Sequence, residues 1–202
     1  MPLLALAGYV VFVLLAFGLR AWVHHRRTGT LGFAGLSGRL GSAEWCGGAL
    51  FAVAVLGGLL APVLQLAGVV EPLAPSSSRA WAVAGGFLWL AGVAGTLWSQ
   101  FTMGDSWRIG VDEEERTALV RGGPFRLVRN PIFSCMTTAS AGLALLAPNA
   151  IAFSSLAALV AAIEIQVRLV EEPYLTRVQG EPYTHWAAST GRFFPGVGRM
   201  RM

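Results

Sequence analysis

A chain of 202 residues in which 54% of positions are hydrophobic and only 13% are charged, with a mean hydropathy of +0.59, is too apolar for a soluble domain of this size. The net charge of +4 invites a nucleic-acid reading, but the arginines lie at the ends of apolar segments and form no separate basic region, so a positive-inside bias accounts for them better. Composition thus excludes a soluble enzyme and a nucleic-acid binder, and predicts an all-α, polytopic membrane protein.

The first predicted span runs from Leu3 to Val23. Its basic residues follow the apolar run, as expected for a helix inserted N-terminus first and not for a cleaved signal peptide. His24-His25 beside Arg26-Arg27 reads as an interfacial basic patch, since no further ligands complete a metal site. The second and third spans, Trp45 to Val70 and Ala80 to Trp98, are joined by a short loop, Pro72 to Ser78. Small residues four apart, Ala91 with Gly95 and Gly92 with Thr96, are spaced to let helices approach closely in lipid. Cys46 and Cys135 read as small packing residues. The polar segment Ser99 to Asn130 contains the run Asp112 to Arg116, expected to be a solvated face.

The apolar stretch from Ile132 to Val167 is too long for one crossing of about 20 residues. Pro148-Asn149 divides it into a helical hairpin that returns Arg129 and Glu171 to the same membrane surface. Five transmembrane helices are therefore expected, the last two a hairpin, followed by a short cytosolic helical tail. Residues 1–100 carry the three N-terminal helices, and residues 101–202 the catalytic region. Four arginines between Arg20 and Arg39, against Glu71 and Arg79 alone between Val69 and Arg79, place the N-terminus outside and the C-terminus in the cytosol. Lysine is absent, and Arg supplies all fifteen basic side chains other than His, in keeping with GC-rich coding and a bacterial plasma membrane.

No dinucleotide-binding fingerprint, phosphate-binding loop or H-E-x-x-H motif is present, so any cofactor must bind to the membrane helices and their inner loops. Two polar cassettes, Arg121 to Phe133 and Arg168 to Tyr174, flank the hairpin. In the second, Glu164, Arg168 and Glu172 are spaced four apart with Glu171 close to the same face, a single stripe of alternating charge. Glu164 lies about two turns inside the apolar stretch, where an ionisable group faces a cavity or a partner; it either pairs with Arg168 or meets a ligand. Pro173 predicts a helix end near Glu172, and carboxylates there would oppose the helix dipole and require an arginine or a cationic ligand. In the first cassette, Arg121, Arg126 and Arg129 precede Pro131, a residue suited to the first position of a helix. They either anchor the helix to headgroups or form a carboxylate pocket. With acidic residues opposite, such a pocket suits a zwitterion, for instance an amino acid bearing a sulfonium.

At these residues the chain resembles the isoprenylcysteine carboxyl methyltransferase-like integral membrane methyltransferases, a family that includes phospholipid N-methyltransferases and bacterial relatives. The family pattern, G-P-[YF]-x-x-x-R-H-P-x-Y-x-G, a helical hairpin, E-E-x-x-L, G-x-x-Y-x-x-Y and R-F-x-P, finds counterparts here. They are Gly123-Pro124-Phe125, Arg129-Asn130-Pro131-Ile132-Phe133, Glu171-Glu172-Pro173-Tyr174-Leu175, Gly180 to Trp186 with Tyr183, and Arg192-Phe-Phe-Pro195. Met103 to Gly110 looks like a bacterial branch of the family. The resemblance covers Met103 to Pro195. Asn130 replaces the motif His, Phe133 the Tyr and Cys135 the Gly; Asn can donate a hydrogen bond but cannot titrate near neutral pH.

The resemblance implies S-adenosylmethionine at the cytosolic mouth of the hairpin and a lipophilic small-molecule acceptor entering from the membrane lipids. Arg126, Arg129, Asn130, Pro131 and Phe133 would form one side of the cofactor site, with Arg129 and Asn130 on the methionyl carboxylate. Glu171 and Glu172 would take the ammonium or ribose hydroxyls, and Tyr183 and His185 would close the site. Arg168 would orient an anionic acceptor or balance the carboxylates. A carboxylate or thiolate acceptor needs no general base, whereas a hydroxyl or amine would call on His185 or Glu164. Two other functions share the architecture: a sterol-reductase-like NADPH-dependent membrane reductase, and a non-catalytic lipid-binding membrane protein of the same fold.

Overall fold

The computed structural model describes residues 1–32, 38–73, 78–107 and 119–201. The run Asp112 to Arg116, and positions 74–77 of the Pro72 to Ser78 loop, lie outside them. The described residues form helices and no β-strand.

Helix α1, Pro2–Thr28, is wound with π geometry over Leu14–Leu19 and stops at Gly29, whose φ of 80° is the left-handed conformation that glycine adopts without strain. Helix α2, Ala43–Leu66, starts at Ser42, whose Oγ accepts from the Trp45 N–H, and Ser78 caps α3, Arg79–Met103, in the same way. Helix α4, Pro131–Leu146, has its proline at the first turn, where no donor is lost. At the Pro148-Asn149 turn, Asn149 Oδ1 accepts from the Ala152 N–H at 2.9 Å to open α5, Ala150–Gln179. Its amide nitrogen donates to the Ala61 carbonyl and to Gln65 on α2, so the hairpin turn is pinned to a neighbouring helix. A last helix, α6, Glu181–Ser189, follows Gly180.

Among the described residues, four helices are long and apolar enough to cross a membrane: α1, α2, α3 and α5. The fifth expected span, α4, has 16 residues, about 24 Å at 1.5 Å per residue, short of a hydrocarbon layer of about 30 Å. Beside four helices of spanning length stands one shorter apolar helix, α4, which runs from Asn130 at one end of the bundle to the Pro148 turn at the other. The hairpin itself is present, with α4 and α5 antiparallel across the Pro148-Asn149 turn.

A correction concerns Pro173. The helix does not end near Glu172 but runs on to Gln179. Over Gln166–Glu171 the winding widens to π type, so the Glu172 N–H bonds to the Val167 carbonyl, five residues back. The ladder shifts register just before the proline, which then sits in the first turn of resumed α-winding. Glu171 and Glu172 consequently lie within a continuous helix and not at a C-terminus.

Packing follows the small residues. A methyl group added at Gly92 of α3 would stand 2.4 Å from the Ala139 nitrogen of α4, and one at Gly142 of α4 would stand 2.4 Å from the Trp89 nitrogen. Backbone meets backbone along this seam. A methyl group at Gly95 would come within 2.5 Å of Cys135 Sγ, so the cysteine fills the seam as a packing residue. Across the bundle, Ser155 of α5 projects toward Gly57 of α2.

At one end of the bundle Arg20 donates to the Gly104 carbonyl and Thr102 lies under Gly123. At the other, the Leu73 N–H bonds to the Pro148 carbonyl at 2.9 Å. The arginine-bearing connections therefore gather at a single end. Because the α3–α4 seam leaves no room for a side chain, Gly92→Ala is expected to destabilise the bundle by about 1 to 3 kcal/mol, read as a lowered melting midpoint in detergent. An unchanged midpoint would show that the seam relaxes freely.

Candidate active site at the arginine-rich end

The chain enters this region through a short turn, Gly123–Arg126, that buries Pro124 and Phe125. It then runs beside the segment after α6. Val128 pairs with Gly191, the Arg129 N–H donates to the Gly191 carbonyl at 2.8 Å, and the Asn130 N–H donates to the Arg192 carbonyl at 3.1 Å. Ser134 Oγ continues the contact to the Phe193 carbonyl at 2.8 Å. Only glycine fits at 191, since an added methyl group would fall 2.0 Å from the Phe194 carbonyl oxygen. The tail is thereby fastened to the start of α4.

Beneath this pairing lies a buried carboxylate held by two guanidinium groups. Glu172 Oε1 accepts from Arg129 Nη2 at 2.5 Å and from Arg192 Nε at 2.8 Å, and Glu172 Oε2 accepts from Arg192 Nη2 at 2.7 Å. The Arg129 and Glu172 side chains are only 2% and 8% exposed, a depth at which charges persist only when paired and hydrogen-bonded. Arg129 also donates to the carbonyls of Ala187, Thr190 and Gly198. Its Nε makes no bond to a carbonyl or carboxylate, and the Tyr183 hydroxyl lies against the guanidinium. The hydrogen bonds of Glu172 hold Arg192 above the ordinary arginine range. Tyr183, 1% exposed and edge-on to Trp186, has its hydroxyl pushed up from 10 to about 12, first by burial and then by the Glu172 charge.

Of the expected site residues, the structure brings together Arg129, Asn130, Glu172 and Tyr183. Asn130 sits at the mouth of α4 with its amide nitrogen 3.3 Å from the Arg192 carbonyl, and Pro131 is buried beside it. Glu171 is half-buried next to Glu172. Phe133 packs between the two hydrophobic cores of the bundle. Arg121 and Arg126 are exposed, so the three arginines of the first cassette do not converge. His185 is exposed as well, because Tyr183 and Ala187 take the inward face of α6. Glu164 and Arg168 pair with each other, partly exposed on α5, with the Glu164 charge near enough to act on Arg192. The expected stripe of Glu164, Arg168 and Glu172 is split by the π winding, which turns Glu172 inward and leaves the other two outside.

Sequence reasoning missed the role of Arg192, although its motif, Arg192-Phe-Phe-Pro195, was a usable signal. It also missed a polar cluster between α1 and α3. Arg20 is 2% exposed, with its guanidinium 4.5 Å from the centre of the Trp107 ring. Gln100 donates to the Ala16 carbonyl at 2.9 Å, within the π-wound turn of α1. His24 is buried against Trp107, so the expected interfacial patch is reduced to His25, Arg26 and Arg27.

The buried phenol also sets a pH limit on the docked tail. A folded pKa of about 12 above an ordinary 10 means that docking favours the neutral phenol, so its contribution is complete below about pH 10 and declines as pH rises through about 12. Proteolytic release of the tail is expected to increase over that interval, and Tyr183→Phe should remove this component. Identical pH profiles for the two proteins would contradict it.

A family model for phospholipid methyltransferase matches residues 81–181, 101 of the 202 residues. No curated protein matches the chain. The matched stretch begins in the first turn of α3 and ends at Glu181, so it contains both cassettes, the hairpin and the Arg129–Glu172 pair, and stops before Tyr183 and Arg192. With half of its length so matched, and with apolar helices of membrane-spanning length around that core, the chain belongs to the phospholipid methyltransferase family of integral membrane methyltransferases.

Proposed function

We propose that the protein transfers a methyl group from S-adenosylmethionine to a lipophilic, membrane-embedded acceptor at the mouth of the α4–α5 hairpin. The observation that carries this reading is the meeting of the two cassettes within the family-matched segment, Arg129 against Glu172. Arg129, Arg192 and Glu172 together bear one net positive charge, which suits an anionic group of the cofactor.

On this reading Arg129, with Asn130 beside it, faces the methionyl carboxylate, and the half-buried Glu171 takes the ammonium or ribose hydroxyls. Glu172 holds the two arginines in place, and Tyr183 closes the site from the tail as a neutral phenol. When bound, S-adenosylmethionine supplies an electrophilic methyl group on a sulfonium. The acceptor lone pair forms the new bond to that carbon as the carbon–sulfur bond breaks, with S-adenosylhomocysteine leaving. The protein's part is to align the two reactants and exclude water.

Asn130 cannot take a proton, His185 faces away and Glu164 is engaged by Arg168. This arrangement favours an acceptor that reacts without a general base, such as a carboxylate or a thiolate. Arg168 would meet an anionic acceptor arriving from lipid by exchanging its pair with Glu164.

Titration of detergent-solubilised protein with labelled S-adenosylmethionine is expected to show saturable binding. Arg129→Lys and Glu171→Gln should each weaken it about tenfold or more, about 1.4 kcal/mol, with melting midpoints confirming the fold. Binding of NADPH in place of S-adenosylmethionine would overturn the reading in favour of a reductase. Wild-type affinity in both variants would move the cofactor away from this cluster.

The same reading places the arginine-rich end in the cytosol. Reporter fusions truncated after Glu71 and after Arg121 are expected to report opposite compartments, Glu71 outside and Arg121 inside. A common compartment for both would contradict this orientation.

A further inference from the structure

The last segment of the chain enters the bundle instead of resting above it. Ser134, four residues after Asn130 in α4, donates from Oγ to the Phe193 carbonyl at 2.8 Å, and the Phe193 side chain packs against the core of Ala54, Leu159, Ile163 and Val167. Ser134 stands thirteen residues before Ala147, where α4 closes at the opposite turn, and so about 20 Å from that end. A hydrocarbon layer is about 30 Å thick, so the root of the tail loop lies within the layer. The neighbouring helix agrees: Cys135, the next residue of α4, lies against Gly95 of α3, inside the apolar run Ala80 to Trp98.

The loop that carries Phe193 is tight. The Arg192 N–H donates to the Val197 carbonyl at 2.7 Å and the Val197 N–H to the Phe194 carbonyl at 3.1 Å, with Gly196 at a φ of 77° in the turn. The Arg192 carbonyl accepts from the Asn130 N–H. The carbonyls of Arg192, Phe193, Phe194 and Val197 are thus all engaged within the protein, and Pro195 has no N–H to satisfy, as backbone at membrane depth requires. Phe194 and Val197 are left 69% and 63% exposed, beside an exposed Pro195. Single exposed apolar side chains are ordinary on a soluble protein; here they belong to a loop rooted among membrane helices. Arg199 and Arg201, both exposed, follow directly.

We propose that this loop is a membrane-contact element whose partner is the lipid bilayer. Phe194 and Val197 enter the acyl region of the leaflet at the arginine-rich end, and Arg199 and Arg201 reach the headgroups of anionic phospholipids beside it. The tail is then held from two sides, by the Glu172 clasp within the protein and by lipid outside it. The contact requires only that the bundle lies in a membrane, and it stands independently of the methyl transfer proposed above.

The test places the photoreactive residue p-benzoylphenylalanine at position 194 or 197 of the full-length protein in nanodiscs of phosphatidylcholine and phosphatidylglycerol. Phospholipid adducts are read by mass spectrometry after irradiation. Both positions are expected to give adducts as abundant as those from position 90, where Leu90 is 61% exposed on α3, and adducts are expected to be lost at position 121, where Arg121 is exposed. Adducts at position 90 without any at 194 and 197 would overturn the proposal, and so would crosslinks from 194 to a second copy of the chain in place of lipid. Proteolytic release of the tail gives a second reading. The double variant Phe194→Glu with Val197→Glu is expected to release it roughly tenfold faster in nanodiscs, because carboxylates are costly at this depth, with the melting midpoint of the bundle as the folding control. Release at the wild-type rate from a folded double variant would also overturn the proposal.

Discussion

The clasp of Glu172 between Arg129 and Arg192 is the interaction on which the site depends. It joins Arg129, two residues before α4, the last third of α5 and the segment after α6, which are far apart in the chain and meet also through backbone pairings and the packing of Phe193 on the α5 core. A buried carboxylate is stable only while its partners are present, and each partner is stable only with the carboxylate. The clasp therefore forms as a unit. The three backbone carbonyls that also accept from Arg129 convert the same guanidinium into a template for the tail, so the charge pair shapes the mouth of the hairpin together with the buried Phe125, Tyr174 and Tyr183.

Both π-wound turns of the bundle stand next to buried polar groups. In α1 the turn over Leu14–Leu19 contains the carbonyl that receives Gln100, one residue set away from the buried Arg20. In α5 the turn over Gln166–Glu171 rotates Glu172 inward and lets the helix pass Pro173. A widened turn changes the face that every later residue presents, which is how one helix can hold an ion pair on its outer side at Glu164 and a buried carboxylate two turns further on. The local winding thus lets α5 carry a partly exposed ion pair and a buried carboxylate on neighbouring turns.

The hairpin is asymmetric for a related reason. Helix α4 is 16 residues long, whereas α5 spans 30, so α5 runs on beyond the level at which α4 begins. The tail segments packed over the start of α4 occupy the difference. A polar cluster in this position is shielded by protein above and helices on the sides, close to where an amphiphile in the membrane can present its headgroup. The glycine-lined seam between α3 and α4 makes this compact arrangement rigid.

Membrane insertion, the helical hairpin, its Pro148-Asn149 turn and the convergence of the two cassettes were legible in the sequence, because each rests on local properties: hydrophobic run length, a turn dipeptide, and the antiparallel return that a hairpin imposes. Gly92 and Gly95 were legible as packing sites on the same ground, a spacing of small residues. What only the tertiary structure decided was the direction in which particular side chains point. Periodicity of 3.6 residues placed Glu164, Arg168 and Glu172 on one stripe, and a π turn that no local motif announces split them. Pro173 signalled a helix end that the same turn removed. Arg192, Arg20 and Gln100 were visible as residues but not as partners, since their contacts reach carbonyls and a carboxylate brought near only by the folding of distant segments. The chain's apolar pattern specifies which segments enter the membrane; the burial of a few charges, which must find partners in three dimensions, specifies how they are arranged once there.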